Sequence, residues 1–103
     1  MDDTVITVFE PTPMMSTYLL AFVVSDLKSI TNEDTKAPEA TLHRIWVRPD
    51  SLTKARYALS NSEGALKALE DYVGFKYELP KVDSAGVPNK GGAMENWGMV
   101  TYR

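Results

Sequence analysis

Asp50-Ser51-Leu52-Thr53-Lys54-Ala55-Arg56-Tyr57-Ala58-Leu59-Ser60-Asn61-Ser62-Glu63-Gly64-Ala65-Leu66-Lys67-Ala68-Leu69-Glu70-Asp71-Tyr72-Val73-Gly74 reads as one long helix. Its apolar or small positions, Ala55, Leu59, Ser62, Leu66, Leu69 and Val73, recur at alternating steps of four and three, which draws a single stripe along a helix. Asp50 or Ser51 is placed to cap the start by accepting a bond from a free backbone N–H. Gly64 costs about 1 kcal/mol relative to alanine and permits a bend. Gly74 is suited to end the helix in a left-handed conformation, and Pro80 forbids continuation.

On the N-terminal side, Thr41–Val47 has strand character and Pro49 stops it. Residues 26–39 are polar and read as an exposed loop or linker, the best place for a domain boundary. Ser16–Ser25 is a nearly continuous apolar run and Thr4–Phe9 is rich in β-branched residues; both are expected as strands, separated by Pro11-Thr12-Pro13. Continuous rather than alternating apolarity calls for burial on both faces, hence for more sheet than these segments supply. On the C-terminal side, residues 82–103 are glycine-rich, and Asn96–Tyr102 ends with strand-like residues. The fold class is therefore α+β.

Composition narrows function. Net charge is −3 with no basic run, which argues against nucleic acid as a partner. There is no cysteine, which removes disulfides, thiolate metal sites and a cysteine nucleophile. The longest apolar run, Tyr18–Val24, is far short of the roughly 20 residues that span a bilayer in a helix. His43 is the single histidine, and no His-Glu-x-x-His is present, so no zinc site is recognisable and no metal-ligating or catalytic residue is assigned. Beside Arg44 at the start of a strand, His43 is expected at the surface. A Ser-His-Asp arrangement lacks the Gly-x-Ser-x-Gly elbow that would expose its nucleophile. Met14 and Met15 are expected as core filler, and Trp46 and Trp97 as buried anchors.

The segment Gly91-Gly92-Ala93-Met94-Glu95-Asn96-Trp97-Gly98 has almost no side chain over its first three positions, so another backbone can approach and pair with it. Glu95 follows, and a carboxylate can hold a cationic amine by a charge-assisted bond. Backbone pairing beside a carboxylate is what recognition of a peptide's free N-terminus requires. Taken from these residues alone, a glycine-rich turn bearing a solvated glutamate is the simpler account.

The order of four stretches changes that balance. Gly92-Ala93-Met94-Glu95-Asn96 resembles the exopeptidase motif of the aminopeptidase N family of zinc metallopeptidases, and Trp97–Arg103 continues as that family does. Thr12–Phe22 is similar to the strand that closes the family's N-terminal β domain. Ile45-Trp46-Val47-Arg48-Pro49 is similar to the start of its catalytic domain, and Tyr72–Asp83 to the stretch before the motif. Gly91-Gly92 and Ser84–Lys90 look most like insect gut members. A departure stands at Asn89-Lys90, where many relatives have an aspartate and an aromatic residue after the proline.

The resemblance implies a truncated piece of such an enzyme. Residues 1–36 would be antiparallel C-terminal strands of the N-terminal β domain. Residues 37–103 would open a thermolysin-like catalytic domain with a strand, the long helix and further strands. Glu95 would bind the substrate's free α-amino group, Gly92 and Ala93 would line its backbone, and Met94 and Asn96 would shape the site. The zinc, the general base and the transition-state tyrosine would be supplied by the full-length parent, leaving this chain inactive alone and dependent on the rest of the enzyme to complete its fold. Its partners would be peptide substrates, on the extracellular face of the plasma membrane. The other implied role is a non-catalytic binding segment for a bacterial insecticidal toxin, as insect gut members serve, although no residue identifies such a contact. Marginal stability is expected, because each leucine or valine left exposed forgoes roughly 1.5–3 kcal/mol.

Overall fold

The computed structural model describes residues 2–103. The long helix, α1, spans Leu52–Val73 without interruption at Gly64 and follows a 3-10 turn over Pro49–Ser51. Gly74 ends it at φ 84°, its N–H donating to the Glu70 carbonyl at 2.9 Å. The expected side-chain cap does not form. Ser51 makes no capping bond, and the Asp50 carboxylate is drawn instead to the Arg48 guanidinium at 2.8 Å.

Four strands form one sheet in the order β1 (Lys28–Thr31), β2 (Leu42–Val47), β3 (Lys81–Gly86), β4 (Met99–Tyr102). The first pair is antiparallel, and β2, β3 and β4 run parallel. Parallel neighbours need a connection that carries the chain back along the sheet. Between β2 and β3 this connection is α1, which packs on β1 and β2 and faces His43 and Ile45. The helix stripe is used unevenly. Ala55 is buried and Leu59, Ser62 and Leu66 are half-buried, whereas Leu69 and Val73 are 59% and 49% exposed because α1 overhangs the sheet.

The class α+β stands, but the strands differ in place from expectation. Thr4–Phe9 is irregular, and Ser16–Ser25 holds only a 3-10 turn at Thr17–Leu19. A strand needs a neighbour to take its N–H and C=O groups, and among the described residues none lies beside either segment. Met14 is fully exposed rather than core filler. Residues 19–27 lie over the sheet face opposite α1. The Leu19 carbonyl accepts from Asn96, and Val23, Ser25 and Leu27 join Trp46, Ala85 and Met99 around a cavity of about 190 Å³.

Two strands occupy sequence that does not advertise them. β1 lies in the polar stretch read as a loop and pairs Lys28–Thr31 with Arg44–Val47, across the position where residues 1–36 and 37–103 were expected to divide. Asn32 ends it. Its buried Oδ1 accepts from the His43 N–H at 2.8 Å, while its carbonyl takes the Lys36 N–H at 2.9 Å, turning the chain. β3, with only Val82 as a strong strand former, is central to the sheet.

Candidate functional site

Residues 87–98 return the chain from the end of β3 to the start of β4, and this connection contains the whole Gly92–Asn96 motif. It opens with a turn in which Pro88 is followed by Asn89 at φ 61°, closed by Lys90 N–H to the Val87 carbonyl at 3.3 Å. Proline second and a residue tolerant of positive φ third is the pattern of a type II turn, which accounts for asparagine at this departure from the family pattern. The chain then runs back along the outer edge of β4. Met94 and Thr101 exchange two backbone hydrogen bonds, each of 2.9 Å, in an antiparallel bridge.

The motif residues divide by exposure. Gly92, with φ 71°, Ala93 and Glu95 are exposed; Met94 is half-buried; Asn96 is buried. Glu95 stands outside both the 190 Å³ cavity and the larger, open cleft of about 630 Å³ between α1 and the start of β2. Asn96 donates through Nδ2 to the Leu19 carbonyl at 3.2 Å. Its own carbonyl takes the Met99 N–H at 3.0 Å, closing a second turn whose third residue, Gly98, sits at φ 87°. A Cβ on Gly98 would lie 2.8 Å from Leu79 Cδ1, so no other residue fits there without displacing Leu79.

Under that turn lies a charge cluster that the sequence did not reveal. The Asp83 side chain, on β3, is buried and accepts from Arg44 Nη2 at 2.8 Å, Trp46 Nε1 at 2.8 Å and Lys81 Nζ at 2.6 Å. The Arg44 guanidinium also lies 5.7 Å from the Trp46 ring centre, within cation–π range. Burial pushes the Asp83 carboxyl upward, but the bonds from Arg44, Lys81 and Trp46 outweigh it and hold the group below its ordinary range. Burial, with Asp83 nearby, raises the Tyr77 phenol. No local pattern announced the cluster, because Lys81–Gly86 does not read as a strand in the sequence. Trp46 and Trp97 are both half-buried rather than deep anchors.

His43 corrects the surface expectation, being only 4% exposed under α1. Its Nδ1 lies 3.0 Å from Ser62 Oγ, and Ser62 donates its hydroxyl to the Leu59 carbonyl at 3.1 Å. Ser62 Oγ is within reach of both Nδ1 and the Leu59 carbonyl, and which atom donates in the His43–Ser62 contact depends on the imidazole tautomer. The contact ties β2 to α1. Among the described residues no three His, Cys, Asp or Glu side chains converge in the way a three-ligand zinc site requires.

Residues 57–103 match the family model described as the peptidase family M1 domain. The matched span is a little under half of the chain. The match covers most of α1, and all of β3, the motif connection and β4. Over nearly its whole length the chain is also similar to named aminopeptidases. It is 45% identical over 101 residues to aminopeptidase Ey of Gallus gallus, covering 95% of this chain and 10% of that protein. Endoplasmic reticulum aminopeptidase 1 of Mus musculus is 42% identical over 96 residues, with 92% and 10% covered. Aminopeptidase N of Homo sapiens is 43% identical over 101 residues, with 95% and 10% covered. The chain spans about a tenth of the length of these curated relatives. Its four-stranded sheet and one long helix are consistent with an incomplete domain of an M1 peptidase.

Proposed function

We propose that this chain is the amine-recognition segment of a zinc-dependent M1 aminopeptidase that removes residues from the N-termini of peptides, with Glu95 holding the substrate's α-ammonium group. The observation that carries the reading is an exposed carboxylate one residue beyond a stretch of near-bare main chain, on a segment running along the outside of the edge strand β4. A substrate backbone laid on Gly92 and Ala93 would bring its terminal amine to Glu95, and the charged pair would restrict cleavage to the first residue. Met94 and Asn96 serve this site differently. They anchor the carboxylate's flanks, Met94 to Thr101 and Asn96 to Leu19.

In this reading the metal and the proton-transfer groups come from parts of the enzyme outside these residues, and the chain by itself does not hydrolyse peptides. The likeness to insect gut members at Gly91-Gly92 and Ser84–Lys90, and a place on the outer face of the plasma membrane, belong to the same proposal. The test is Glu95→Gln in the full-length polypeptide that carries this segment. The KM for aminoacyl reporter substrates should rise by about tenfold or more, in line with the loss of a charge-assisted bond worth roughly 1.5–3 kcal/mol. An unchanged KM and kcat would remove Glu95 from substrate recognition.

A further inference from the structure

Resting on the amine-binding reading of Glu95, we infer that Lys81, held by Asp83, is a positioning residue for amine recognition: it locks the Gly98 carbonyl and with it the turn that presents Glu95. Glu95 makes no side-chain hydrogen bond or ion pair among the described residues, so its position depends on the backbone on either side. On one side Met94 is fixed to Thr101. On the other is the turn Asn96–Met99, closed by the Met99 N–H to the Asn96 carbonyl. The outgoing half of that turn is held at one atom. The Gly98 carbonyl accepts both the Asp83 N–H at 2.9 Å and Lys81 Nζ at 3.1 Å.

The ammonium of Lys81 is itself held, 2.6 Å from Asp83 Oδ2, and Asp83 is fixed in turn by Arg44 and Trp46. An otherwise mobile four-carbon side chain thereby becomes a rigid strut. Leu79 lies against the same turn, its Cδ1 2.8 Å from where a Cβ at position 98 would stand. The chain of contacts thus runs from a buried carboxylate through one ammonium to the turn three residues beyond the recognition carboxylate. A displacement of about 1 Å in a positioned group can cost on the order of a hundredfold in rate, so a strut here has leverage on Glu95 without touching substrate.

The test uses the full-length polypeptide and two competitive inhibitors that differ only in the α-amino group, leucine hydroxamate and 4-methylpentanohydroxamate. The ratio of their inhibition constants reports amine recognition alone. Lys81→Met should reduce the preference for the amine-bearing inhibitor by on the order of tenfold while leaving the affinity of the des-amino compound unchanged, and Lys81→Arg should restore most of it. Should Lys81→Met not yield folded enzyme, Asp83→Asn, which keeps shape and an acceptor, is read by the same ratio. Equal weakening of both inhibitors, or an unmoved ratio, overturns the inference. Glu95→Gln separates the two levels. If it lowers the ratio and Lys81→Met does not, only the strut falls; if it leaves the ratio unmoved, the amine-binding reading falls and the strut with it.

Discussion

Residues 4–9 and residues 81–86 reverse what intrinsic preference would assign them. Thr-Val-Ile-Thr-Val-Phe is close to an ideal strand sequence, yet it is irregular, with Val5, Ile6, Val8 and Phe9 all exposed. Lys-Val-Asp-Ser-Ala-Gly is a poor one, yet it forms β3, paired on both edges and holding buried Asp83 and Ala85. Strand preference is largely packing against neighbours. A segment with neighbours on two sides becomes a strand from weak material, and one with none stays open. What supports β3 is supplied largely by its partners, through the Arg44–Asp83 pair and the Trp46 bond to Asp83 on one face and the α1 crossover that delivers it beside β2.

The comparison breaks first at Asp83. Asp83→Ala leaves the Arg44 and Lys81 charges, both only about a third exposed, without their common counter-ion. Removing one member of a buried pair costs about 3–5 kcal/mol, a large part of the stability of a small domain, so the urea midpoint should fall sharply or the transition disappear. A midpoint near that of the wild type would mean that β3 owes its order to backbone pairing alone.

A smaller effect sharpens the contribution of the helix-covered side. Burial lowers the His43 pKa from its ordinary 6.5, with Glu63 pulling the other way. The unfolded chain therefore binds a proton more readily than the folded one. Stability from the neutral ring is whole above pH 6.5 and declines as pH falls through that value, levelling only once the folded ring also protonates. Wild-type unfolding free energy should fall more steeply between about pH 7.5 and about pH 5 than that of His43→Gln. Parallel curves would show that His43 protonates equally well in both states.

How much of this was legible follows from the same contrast. The helix was readable because its signals are local: a stripe at alternating steps of four and three, Pro49 ahead of it and Gly74 at its end. β2 was readable as a short apolar segment stopped by proline, and β4 from the residues after Gly98. β1 and β3 were not, because their order comes from neighbours far along the chain, Lys28 with Val47 and Asp83 with Arg44. The motif at Gly92–Asn96 was visible as residues, but its place on the edge of β4 follows from β3 and β4 being parallel, which no local pattern announces. The buried state of His43 escaped for a similar reason, since Asn32 and Ser62 lie on two other elements.

The smallest effect on stability is expected where the apolar surface is largest. Phe22 and Val24 are 82% and 92% exposed, so polar replacement removes almost no burial from the folded chain. Phe22→Ser combined with Val24→Ser should shift the unfolding free energy by no more than about 0.5 kcal/mol, as for surface positions in general. The same change should be visible in a different measurement. Exposed aromatic and branched side chains in a row favour contact between copies in water, so sedimentation at increasing concentration should show less self-association for the double variant. A loss of stability comparable to that of Asp83→Ala would mean that residues 19–27 hold the sheet together, and that the ordered and open regions are one cooperative unit. An unchanged unfolding curve with reduced association keeps them separate.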